Sequence, residues 1–245
     1  ARLAAAVAAA RPAAEARPPD VEAQLQWLLL YTAQVFPYTR GYERRFAADP
    51  ASFALARGIA EGAAARHPRH PGALHYSIHF FDTPSTKSLA LPAARAFGRT
   101  VASSVPHACH MPSHIYLRQG MWAECVEENV RATAQMRRIL DYFGLPENAQ
   151  DSHNIEFLQY ARLMSGQHAA ARNLTAYIYQ LSLMTTPAGL NSHNEFRWRT
   201  MHARQVVEEG LLLDSWTEAP AALPPRPNCS TCWVDAGDAN FLFFS

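Results

Sequence analysis

The chain has 245 residues, 49% of them hydrophobic, enough for one large domain or two small ones around a sizeable core. Lys and Arg total 22 against 21 Asp and Glu, a formal net charge of +1, so no broad basic field exists to bind nucleic acid by bulk charge. No apolar run reaches about 18 residues, which excludes an ordinary transmembrane helix.

The predicted elements are almost all helical. Residues 1–16 are Ala-rich and read as a helix rather than the remnant of a targeting segment. The segment Arg17-Pro-Pro-Asp20 breaks it, and Asp20 is a good cap for a helix over 21–36. Arg40, Arg44 and Arg45 form a small basic patch, read as a solvated face. Ser52 is expected to cap a helix over 53–66, which His67-Pro-Arg-His-Pro71 ends. Helices over 72–81 and 88–102 follow, joined by a loop at Asp82-Thr-Pro-Ser85. Pro106 opens a helix that runs to Gln119 and stops at Gly120. Further helices are expected over 121–141, 152–165, 167–183 and 193–213. From Ala219 the chain turns to Pro, Asn, Ser and Gly, an irregular tail ending in Phe241-Leu-Phe-Phe244.

A short helix, a turn glycine and a longer helix occur twice. Gly120 and Gly166 are each followed three residues on by alanine (Ala123, Ala169) and preceded thirteen residues earlier by histidine (His107, His153). Their spacing exceeds the ~34 residues of a standard tetratricopeptide repeat, so the repeat is degenerate. The expectation is an all-α fold: a right-handed α-solenoid of tetratricopeptide-like helix pairs over residues 1–218, with a Pro-rich tail over 219–245.

Eleven histidines are many for this length, and they cluster. His75 and His79 lie four apart, about 40° around a helix. His107, His110 and His114 fall within about 60° of one another, and His153 has Glu156 three residues on. An i, i+4 histidine pair is a ready chelate, since both imidazoles project over one turn. The pattern designates His75, His79, His110 and His114 as ligands of one divalent transition metal, Zn, Cu, Fe or Ni. His107, His153 and Glu156 are additional ligands or supporting groups, and Asp151 is a further candidate base. The competing reading is a polar, hydrogen-bonded core between repeats. Neither i, i+4 pair carries the glutamate of a His-Glu-x-x-His peptidase, since Tyr76 and Met111 occupy that place. Pro112 either starts its helix or kinks one so that His110 and His114 aim at a common point.

Four cysteines are too few for a disulfide scaffold. Cys109 and Cys125 read as buried apolar side chains, Cys229 and Cys232 as a local disulfide or free thiols. With no visible signal the cytoplasm is the default compartment. The start at Ala1, the Cys-x-x-Cys pair and the Asn228-Cys-Ser230 acceptor pattern keep an exported product open.

Three segments are similar to a family of bacterial tetratricopeptide-repeat-like proteins of unassigned function. His70-Pro-Gly-Ala-Leu-His75-Tyr-Ser-Ile-His79 resembles its His-Pro-Gly-Ala-x-His-Tyr-x-Ile-His segment, and His110-Met-Pro-Ser-His114-Ile-Tyr-Leu-Arg-x-Gly120 a second. Ser152-His153-Asn-Ile-Glu156-Phe157 resembles a third, with Glu156 where the family carries histidine. The resemblance spans 66–185 and implies an α-solenoid with a histidine-lined pocket, but no reaction. Three functions fit the chain: a metal-binding solenoid, extending to a metalloenzyme; a scaffold whose concave groove takes a small ligand or peptide; and a homo-oligomer assembled through the tail.

Overall fold

The computed structural model describes residues 2–16, 18–35, 48–100, 104–186, 189–190 and 192–210. The basic patch at Arg40, Arg44 and Arg45, the tail, Cys229, Cys232 and Asn228 lie outside the described residues.

The described chain is almost wholly helical, with one short antiparallel pair, β1 (Thr185–Thr186) and β2 (Gly189–Leu190). Helix α1 (Arg2–Glu15) lies on α2 (Val21–Val35), where the Trp27 indole donates to the Val7 carbonyl at 3.1 Å. Asp20 caps α2 as its sequence suggests, accepting from the amides of Glu22 and Ala23. The cap of α3 (Pro50–Arg66) is Asp49 rather than Ser52. The carboxylate at 49 accepts from the Ser52 amide at 3.1 Å and Pro50 pre-sets the first helical turn, while Ser52 turns inward to accept from Arg11. His70 caps α4 (Pro71–Phe81) in the same way, and its other ring nitrogen meets Glu22 at 2.8 Å.

A main core forms where these helices meet α5 (Leu91–Thr100). Trp27, Leu28, Ile78, Phe80 and Phe81 are fully buried there, and Trp27 stacks on Tyr31. Each such side chain contributes about 2–3 kcal/mol by leaving water. The next helix is broken in two: α6 (Pro106–His110) and α7 (Pro112–Arg118) join at Met111, which keeps helical dihedrals. Pro112 has no N–H to continue the ladder, and α7 starts there as a separate helix directly after Met111. Helices α8 (Trp122–Phe143), α9 (Ser152–Met164), α10 (His168–Leu183) and α11 (Ser192–Glu208) follow. A second apolar cluster of Ile155, Ile178, Leu181, Trp198 and Met201 sits among the last three.

Packing runs mainly between helices that are adjacent or next-but-one in the chain. The two turn glycines behave alike. Gly120 and Gly166 hold φ of 71° and 75°, a left-handed conformation that glycine adopts without a Cβ clash. Behind them the Met121 amide bonds the Tyr116 carbonyl and the Gln167 amide bonds the Arg162 carbonyl, the same six-residue closure of a helix end.

Candidate metal centre

Helices α4, α6, α7 and α9 carry six histidines to one place. His75 and His79 project from successive turns of α4 toward His107 of α6, and the ligand atoms of all three lie within 4.8 Å of one another. One turn further along, His110 of α6 meets His114 of α7 and His153 of α9 in a second group of the same size. The groups adjoin: ring centroids are 5.7 Å apart for His79 and His114 and 6.1 Å for His107 and His110. The outer triad is half-buried except for His107, which is exposed. The inner one is covered, with His110 fully buried and Phe157 against all three rings.

His110 and His114 meet across the junction of α6 and α7, their Nε2 atoms 3.1 Å apart. What those atoms can do follows from the opposite sides of the rings. His110 Nδ1 lies 2.7 Å from Asn129 Oδ1. The Asn129 amide is oriented by its own donation to the Cys125 carbonyl at 2.8 Å, so its oxygen faces the histidine. His110 Nδ1 therefore carries the hydrogen and donates. His114 Nδ1 donates in turn to the Asp82 carboxylate at 3.0 Å. With its proton on Nδ1, His110 presents the Nε2 lone pair to His114 Nε2. Both Nε2 atoms are within reach of one cation placed between them. Two ligands about 2.0–2.1 Å from a tetrahedral metal stand about 3.3 Å apart. A separation of 3.2 Å recurs between His75 Nε2 and His107 Nε2. Buried Nδ1 of His153 has no hydrogen-bond partner among the described residues.

Burial disfavours the charged form of His75, His79, His107, His110 and His153. Burial lowers His75 to about 4, with His107 and His114 adding to the effect. Burial and then His114 lower His79 to about 3. His153 falls to about 2 through burial, then His114 and Arg197. His110 lies well below the ordinary range, again chiefly through burial. Neutral imidazole is the form that ligates.

Behind His114 stands a buried relay. Burial pushes the Asp82 carboxyl up, but hydrogen bonds and charge from His114 and Arg118 outweigh it and hold it below the usual range. Arg118 bonds the other Asp82 oxygen, and Lys87 reaches the Arg118 carbonyl at 2.5 Å. Such carboxylate–histidine pairs fix the tautomer of a metal ligand.

The grouping differs from the four-histidine set of the sequence reading. His75 and His79 fall with His107, while His110 and His114 fall with His153. Glu156 belongs to neither triad. Its carboxylate is buried and taken up by Arg197 at 2.5 Å and Arg204 at 3.0 Å, both from α11. Asp151 caps α9 through the His153 amide. Sequence reasoning missed Asp82, placed in a connecting loop, and Asn129. Asn129 lies on the buried side of α8 with Cys125 and Ala132, and a polar residue within an apolar stripe was the available signal.

Comparison with family models, curated proteins and solved structures returns no match for this chain. Among the described residues no helix is long and apolar enough to cross a membrane.

Proposed function

We propose that the protein is a tetratricopeptide-like helical solenoid that holds a divalent transition-metal ion in a histidine-lined hollow. The observation that carries this reading is the close facing of the His110 and His114 Nε2 atoms, in rings whose Nδ1 atoms are taken up by Asn129 and Asp82. His153 supplies the third donor. All-imidazole donors suit Zn, Cu, Fe or Ni. Packing between adjacent and next-but-one helices, and the matching turns at Gly120 and Gly166, support the solenoid.

Three protein donors leave a coordination position for water or a small ligand, the arrangement of catalytic rather than closed structural sites. The reading therefore extends to a metalloenzyme in which a metal-bound water or small molecule reacts. Elemental analysis of untagged protein, paired with thermal melting before and after chelation, tests it. About one ion or more per chain and a melting temperature lowered by the chelator are expected. Metal-free protein that neither takes up Zn(II) nor changes its melting point with chelator overturns it. That outcome leaves a peptide-binding or assembly scaffold with structural histidines.

A further inference from the structure

We infer that the hollow holds two metal ions side by side, one in each triad, joined by a small bridging anion. This deepens the metal-site reading above and depends on it.

The donors fall three and three. Each triad gathers its ligand atoms within 4.8 Å, and His107 and His110 supply one ligand to each from consecutive turns of α6. Residues three apart on a helix stand about 5–6 Å apart at Cβ, so the two centres are next to each other. Each triad also contains one close Nε2 pair, at 3.2 Å in the outer and 3.1 Å in the inner. A single tetrahedral ion takes about four donors, which leaves two of the six imidazoles unused.

Charge then calls for an anion. Six neutral imidazoles bring no negative charge to two divalent ions. Asp82 is matched by Arg118, and Glu156 by Arg197 and Arg204. The Asp151 carboxylate acts on His107, while the Arg197 charge bears on His153. A hydroxide or similar small anion between the ions offsets the excess, as in other two-metal sites with ions about 3.5–4 Å apart. The two positions are unequal. The inner triad has two ligands with anchored tautomers and is covered, whereas His107 stands open to solvent. The inner position therefore fills first.

The test uses chelator-treated, untagged full-length protein titrated with Co(II) under exclusion of air. Two ions per chain are expected, bound in two steps at least tenfold apart in affinity. Low-temperature electron paramagnetic resonance should show coupling only after the second step. The double variant His75→Ala/His79→Ala should keep the first step and lose the second. Should it not fold, His107→Ala at the exposed mouth should weaken the second step at least tenfold. Binding of a single ion to the wild type, or two ions without magnetic coupling, overturns this inference and leaves the mononuclear reading standing. No bound ion overturns both.

Discussion

The Asp82 carboxylate and the His114 imidazole, 32 residues apart in the chain, meet at 3.0 Å beneath the inner triad. One residue thereby does two jobs. It orients the His114 ring and it neutralises the buried Arg118 guanidinium. Substituting Asp82→Ala removes both. Metal affinity should fall about 10–100-fold as His114 loses its fixed tautomer. The metal-free protein should lose about 3–5 kcal/mol because Arg118 stays buried without a counter-charge. Chelator competition and urea denaturation read the two effects separately. Unchanged affinity in a destabilised variant would reduce Asp82 to a structural ion-pair partner.

Glu156 gives the opposite test. Its carboxylate joins α9 to α11 through Arg197 and Arg204, and Arg204 also donates to Gln159. Glu156→Gln should destabilise the fold by about 3–5 kcal/mol, since two buried arginines lose their counter-charge. Metal stoichiometry in the folded variant should not change. A fall in the number of ions bound per folded chain would return Glu156 to the ligand set.

The turn glycines test the repeat. Gly120→Ala and Gly166→Ala each force a Cβ into left-handed backbone, at about 1–2 kcal/mol apiece. Equal losses by chemical denaturation are expected, because the same bonds close both helix ends. Values differing by more than about 1 kcal/mol would show that the two turns are not equivalent in energy.

Alkaline pH should unfold the metal-free protein early. Burial pushes the Cys125 thiol up to about 12, and burial with the nearby Asp49 charge pushes the Tyr31 phenol up to about 12. Both folded values lie above the unfolded ones of about 8.5 and 10. Their contribution to stability is thus complete below about pH 8.5 and is lost as pH rises toward 12. Thermal melts from pH 7 to 11 should show a falling melting temperature beginning near pH 9. In Cys125→Ala the fall between pH 9 and 10 should become shallower, since Cys109, Tyr31, Tyr160 and Tyr177, all raised by burial, still contribute. A flat profile to pH 11 would mean that neither group stays neutral in the folded state.

Local signals were easy to read from the chain. The cap at Asp20, the C′ glycines and the i, i+4 histidine pairs are set by backbone sterics and helical period within a few residues. Ser52 failed as a cap because Asp49, three residues earlier, holds the stronger acceptor ahead of Pro50. His70, in the segment that ends α3, caps α4 and reaches Glu22.

Helical periodicity by itself determined that this is a helical protein with histidines on shared helix faces, because that period places side chains relative to their own helix only. Which histidines belong together was decided by the packing of α4, α6, α7 and α9, which divides six imidazoles into two triads instead of one set of four. Packing also decided that Glu156 faces two arginines and that Asp82 and Asn129 hold the ring protons. Contacts across tens of residues depend on how helices sit against one another, and no short stretch of chain encodes that.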